Sequence, residues 1–229
     1  LKVFAGVGAD GKPILEAPKH APTMGELMSH TAGFTYGLFG ASPVDKMYQA
    51  DNPLAAPNLQ EFINKLSKLP LAYQPGEGWM YSVSVDVQGY IVEKISGKTL
   101  GEFMAERIFK PLKMNDTGFS VPADKLSRVA TIYNGGPSGL THVPRDPNIS
   151  TEPGLPQGGG GLYSTGNDYL RFLSTQRSVS SSPHNQARSA LHRFFTLLLR
   201  RPADPLRGLL PPKPTIRKPT VASSADIRA

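Results

Sequence analysis

With 229 residues, 39% of them hydrophobic, the chain has room for one domain or a small pair at about 150 residues each. It contains no cysteine, which excludes a disulfide framework, a thiolate nucleophile and any cysteine-held metal, and no apolar run approaches the roughly 18 residues that span a bilayer. The net charge of +7 is unevenly placed: from Thr175 to Ala229 ten basic residues face two acidic ones, so residues 1–174 carry a net −1.

The first residue is Leu1, and no charged-then-apolar leader follows it. The start reads as a cut edge with any targeting signal upstream, so the compartment is not assigned. Leu1 to Ala5 fits a short strand end, followed by a glycine-rich turn over Gly6 to Lys12. Thr23-Met24-Gly25-Glu26 has the pattern of a capping box, in which the Thr hydroxyl accepts from the third amide and the Glu reaches back. The short helix it starts is expected to stop near His30-Thr31-Ala32-Gly33, where Gly33 tolerates a left-handed conformation. His30 lies at that helix end; a hydrogen-bonding role in the fold is the first expectation and a site role the second.

Phe34 to Pro57 mixes Gly, Pro, Ala and aromatics and is read as a long lid or binding loop. Asn58 to Glu61 forms a second capping-box pattern, with Phe62, Ile63 and Leu66 at helical spacing behind it. A Pro75-Gly76 turn then precedes Trp79, the only Trp, and Tyr81. An aromatic pair at the mouth of a turn feeding a helix is a place to hold one reactive hydroxyl. On these residues alone, a core aromatic stacked near Trp79 is the first reading of Tyr81 and a reactive hydroxyl the second.

Tyr81, Val83, Val85 and Val87 alternate as a strand would, but Val83, Val87, Tyr90, Ile91 and Ile95 fit one face of a helix that Gly97 stops. The helix reading is adopted. Thr99 to Glu102 is a third capping box, with Leu100, Phe103, Met104 and Ile108 as the apolar stripe and Pro111 as the stop. Leu112 to Ser150 reads as turns and short strands. The run Gly158-Gly159-Gly160-Gly161 is too permissive to be an element and is expected to let two backbones approach closely. It lacks the Gly-Lys-Ser/Thr of a phosphate loop. Thr165 and Asp168 start a last helix whose stripe is Tyr169, Leu170 and Leu173.

Beyond residue 174 the character changes to a basic tail, low in complexity over Ser178–Ser182 and rich in proline after Pro202. Residues 187–201 could form a basic amphipathic helix on an anionic membrane or a partner. A tail without a stable fold of its own is the plainer reading and the one adopted. The domain organisation is therefore a body, 1–174, and a tail, 175–229.

The stretches TMGELMSHTAGF (Thr23–Phe34), PGEGWMYS (Pro75–Ser82), Asp86–Phe119 and GGGGLYSTGNDYLRFL (Gly158–Leu173) together resemble the serine β-lactamase-like family, nearest to class C β-lactamases and the family VIII esterases sharing their fold. Their order and spacing are family-like over about residues 15–174, whereas the tail resembles nothing in the family, in keeping with a frameshifted or spliced end. The resemblance implies an α/β (α+β) fold of the β-lactamase/transpeptidase type: a helical subdomain and an antiparallel sheet flanked by helices. The sheet would be incomplete here, leaving apolar surface exposed and the chain poorly stable or prone to associate.

The resemblance also implies a serine hydrolase acting on a small-molecule ester or amide through an acyl-enzyme, with no cofactor, no metal and no nucleic-acid partner. It assigns Tyr81 as the general base and places Trp79, Ser82 and Val83 at the substrate. Val83 stands where β-lactamases usually carry Asn, which looks more like the esterase branch. The family nucleophile lies in a Ser-x-x-Lys motif, yet no Ser of this chain has Lys three residues later. The motif is expected upstream of Leu1, and the Lys-Thr-Gly strand of the oxyanion hole beyond Leu173. Ser96-Gly97-Lys98-Thr99 has related letters but joins two helices. This chain is thus expected to hold a base without its nucleophile and to turn over almost no substrate. A non-catalytic binding or regulatory protein, its basic tail directed at acidic surfaces, is the second reading.

Overall fold

In the computed structural model, which describes residues 1–38 and 40–177, Val3–Val7 (β1) and Pro13–Glu16 (β2) pair as an antiparallel hairpin. The register slips between Phe4 and Gly6, and Gly6, at φ 148°, absorbs the irregularity. The other edge of β1 is taken by Leu71: the Phe4 amide donates to the Leu71 carbonyl at 2.9 Å and the Leu71 amide to the Lys2 carbonyl at 2.8 Å. Both Val3 and Leu71 are thereby drawn into the core.

Met24–Ser29 (α1) begins with the reciprocal Thr23–Glu26 capping box expected of it. It ends within the expected stretch, where His30 takes the left-handed cap position, with φ 57° and its amide donating to the Glu26 carbonyl. Gly33 also has a positive φ, of 87°, and a Cβ there would collide with the Tyr73 carbonyl.

The segment 34–57, expected as a lid, instead contains Pro43–Ala50 (α2) and a 3₁₀ turn over Pro53–Ala55. Ser42 and Asp45 form a capping box around Pro43 at the first helical position, and Val44 and Tyr48 enter the core. Leu59–Leu66 (α3) is capped by Asn58, which accepts from the Glu61 amide at 2.9 Å. The Glu61 carboxylate accepts from the Asn64 side chain, leaving the box one-sided.

Ser84–Ser96 (α4) packs against α1, α3 and Leu100–Met104 (α5), and is stopped by Gly97 at φ 68°. Val83, Phe62, Leu59, Leu27 and Leu100 fill the space between these helices, each worth about 1.5–3 kcal/mol on burial. Ile95, expected on the packed face, is half exposed in the final turn of α4. The Thr99–Glu102 box starts α5 as expected. The helix then widens into a π turn over Ala105–Phe109. Within it the Lys110 amide donates to the Ala105 carbonyl at 2.9 Å, and Ile108 and Phe109 are both buried.

The rest of the body is thinner. A 3₁₀ turn covers Ala123–Arg128, and Ile132–Gly136 (β3) and Gly139–Val143 (β4) form an exposed hairpin. Gly166–Arg177 (α6) starts where expected, with the Thr165 hydroxyl accepting from the Asp168 amide. Its expected stripe is not covered among the described residues: Tyr169, Leu170 and Leu173 are 56%, 60% and 39% exposed. Only Phe172 packs, against the small cluster of Ile108, Phe109 and Met114. The described sheet content is two separate two-stranded antiparallel pairs. The expectations for residues 187–201 and for most of the tail lie outside the described residues.

Candidate active site

Residues 72–82 run beside 30–33. The Ala72 amide donates to the Gly33 carbonyl, the Gly76 amide to the Thr31 carbonyl and the Met80 amide to the His30 carbonyl, at 2.7–2.9 Å. Gln74, buried inside the turn, donates to Glu16 and accepts from the Lys19 amide, tying the turn to the end of β2. This double anchoring presents Trp79 and Tyr81 at the surface, 68% and 43% exposed.

The candidate residues separate into two groups. Trp79 and Tyr81 are accessible. Ser82 and Val83, expected at the substrate, are 1% and 0% exposed and cannot present side chains to one. Val83 caps α4 without a side-chain bond and fills the core, while the Ser82 hydroxyl pairs with that of Ser84 at 2.8 Å and with His30 Nδ1 at 3.3 Å. These two residues support the Tyr81 backbone from below.

Two rings flank Tyr81. His30 lies 4.8 Å away between ring centroids, and Tyr36 5.2 Å. The hydroxyls of Tyr36 and Tyr81 are hydrogen-bonded, and the Tyr36 hydroxyl also donates to Asp86 Oδ2 at 3.2 Å. A phenol has one proton. It is directed to Asp86 or to Tyr81, and the bond to either favours the protonated form of Tyr36.

Asp86 is 1% exposed in the first turn of α4, and its other oxygen accepts the Gly159 amide at 3.0 Å. Burial raises the Asp86 pKa above the ordinary carboxylate value, opposed by the bonds from Gly159 and Tyr36. Burial first, then the Asp86 charge, raises the Tyr36 phenol far above its ordinary range, so Tyr36 acts as a neutral hydrogen-bonding group. Burial lowers the His30 pKa, favouring the neutral ring.

The glycine run closes this network from the other side. A Cβ on Gly158 would strike the Val85 carbonyl, and one on Gly159 the Tyr36 hydroxyl. The close approach expected of the run is therefore made to the first turn of α4. Tyr36 and Asp86 are not found by sequence reasoning: Tyr36 sits in a stretch read as a loop. An acidic residue in the first turn of a helix is explained by the helix dipole alone. A cleft of about 770 Å³ opens elsewhere, between α3, α5 and residues 152–156. Its Glu93 and Glu102 carboxylates are already committed to the Leu100 and Thr99 amides.

A family model described as beta-lactamase matches residues 13–207. The chain belongs to the beta-lactamase family. It is similar to an uncharacterised protein of Mycobacterium tuberculosis, 38% identical over 65% of this chain and 37% of that protein. It is also similar to the esterase EstB of Burkholderia gladioli, 34% identical over 68% and 44%. Among solved structures, a mutant of simvastatin synthase from Aspergillus terreus superposes with a TM-score of 0.60 at 25% identity, over 76% of this chain and 42% of that one. The chain spans less than half the length of these relatives. The fold is accordingly the α/β type of β-lactamases and transpeptidases, and the family's enzymes include esterases and acyltransferases of the serine type.

Proposed function

We propose that this beta-lactamase-family chain, through the body read as residues 1–174, supplies the base side of a serine hydrolase site that cleaves a small-molecule ester or amide through an acyl-enzyme. The carrying observation is Tyr81: an accessible phenol whose hydroxyl is held by a second phenol, itself fixed by a buried carboxylate. Relatives named as an esterase and a lovastatin esterase favour an ester.

In the first step a serine hydroxyl adds to the substrate carbonyl carbon while its proton passes to the Tyr81 oxygen. Collapse expels the alkoxide or amine, which takes that proton, and water then releases the acid by the same exchange. An isolated phenol, with a pKa of about 10, is a poor base at neutral pH and needs a nearby cation to favour phenolate. The lysine of the family motif fills that role; no Ser-x-x-Lys occurs in these 229 residues. The exposure of Trp79, two residues before Tyr81, supports reading it as the contact of this segment with the acyl or leaving group.

The test is p-nitrophenyl butyrate hydrolysis by the longest product of the gene containing this chain. Tyr81→Phe is expected to lower kcat/KM by about 10²–10⁴; undiminished turnover would remove Tyr81 as the base. The chain of residues 1–229 by itself is expected at background, and burst labelling by a fluorophosphonate would show a nucleophile outside the Ser-x-x-Lys pattern.

A further inference from the structure

We infer that His30 is a positioning residue for Tyr81: its backbone and its ring clamp the chain on both sides of that phenol. The inference rests on the reading of Tyr81 as the base, but the clamp itself is a matter of geometry. The Met80 amide donates to the His30 carbonyl at 2.9 Å, and the Ser82 amide donates to His30 Nδ1 at 3.2 Å. Tyr81 lies between these two amides, and its ring packs on the imidazole at 4.8 Å and 43°. On its far side the same imidazole meets Trp79 edge-on, at 6.3 Å and 67°.

One residue reaches all three positions because of its backbone. His30 caps α1 in the left-handed conformation, φ 57° and ψ 32°. Non-glycine residues seldom adopt that conformation, though His, Asn and Asp adopt it more readily than most. It turns the carbonyl and the ring of His30 together toward residues 79–82. A backbone amide can only donate, so the Ser82 bond requires Nδ1 to be unprotonated and the ring proton to sit on Nε2. A side chain that merely ended α1 would need none of these contacts, since glycine serves that purpose better.

His30→Gly separates the two roles. It keeps the cap and the carbonyl that holds Met80, and removes the ring. His30→Asn keeps the left-handed preference and places an oxygen near the position of Nδ1. Amide hydrogen exchange and ¹³C-labelled tyrosine resonances of the 229-residue chain, with the emission of its single Trp, report on each part. In His30→Gly the Ser82 amide is expected to exchange at least about tenfold faster while Met80 is unchanged, the Tyr81 ring to lose its ring-current shift, and Trp79 emission to move. In His30→Asn, Ser82 protection returns but the Tyr81 shift does not. Unchanged Ser82 exchange and Tyr81 shifts in His30→Gly would overturn the clamp. So would a uniform loss of protection across α1 and residues 76–82 that Asn fails to rescue, which would make His30 a general stabiliser. Loss of the catalytic reading is separate: full turnover by Tyr81→Phe would leave the clamp intact but holding a ring without a chemical role.

Discussion

Helices α4 and α6 are both amphipathic, and they are held in opposite ways. α4 is gripped along its sides by α1, α3 and α5, with Val83 and Leu100 in a continuous core. α6 is held chiefly at its N-terminus by polar bonds. Asp168 accepts from the Asp116 amide at 2.7 Å and the Thr117 hydroxyl at 3.0 Å, and the Arg171 guanidinium donates to the Lys113 carbonyl at 2.7 Å. Its apolar stripe faces outward. The difference shows that apolar spacing marks which face of a helix is greasy, and leaves open whether anything covers it.

The contrast is tested most severely at Phe62, fully buried on α3, a helix that packs against α4. Phe62→Ala removes an aromatic side chain from the core and is expected to cost about 3–5 kcal/mol. Urea unfolding measures it, and a loss below about 1 kcal/mol would mean that α4 is no better supported than α6. Gly158→Ala comes next. Its Cβ would meet the Val85 carbonyl, so backbone must shift, at an expected cost of about 1–3 kcal/mol. A neutral result would detach the glycine run from α4 and from the Tyr36–Asp86 network above it.

The sequence discloses these regions unevenly. Capping at Thr23 and Thr99 is legible because box partners lie three residues apart and need no tertiary structure. The Ser42–Asp45 box has the same form, but the prolines and glycines around it disguise α2 as a loop. At the site, Tyr81 is legible only through family-like stretches. Tyr36 and Gly159 converge on Asp86 from 50 and 73 residues away in sequence, a meeting that no local pattern records. Ser82 and Val83, both buried, make a related point: sequence proximity to a proposed base does not reveal which way a side chain turns.

A smaller effect separates the two regions by pH. Asp116, beside the α6 N-terminus, bonds Arg128 and then Lys125, at 2.9 and 2.6 Å, and these lower its pKa from the ordinary 3.8 to about 2. A carboxyl whose folded pKa lies below its unfolded value adds stability above the unfolded value and loses it as pH falls. For Asp116 that window runs from 3.8 down to about 2. Asp86 behaves oppositely, because its raised pKa makes ionisation above the ordinary value a cost to the fold. Thermal melts of Asp116→Asn are expected to fall below the parent at neutral pH and to converge with it near pH 2. A gap that persists in acid would assign the loss to packing instead of charge.

The smallest expected effect bears most directly on the contrast. Leu170, 60% exposed on α6, loses little when replaced by Ser if its face meets water, and the change is expected within about ±0.5 kcal/mol. The same substitution removes apolar surface from a stripe that includes Tyr169 and Leu173, so it should also reduce any self-association in sedimentation runs. A cost above about 1.5 kcal/mol would break the comparison, because an exposed leucine has no such energy to lose. α6 would then be gripped along its side as α4 is, and the sedimentation of the parent chain would tell whether a second copy does the gripping.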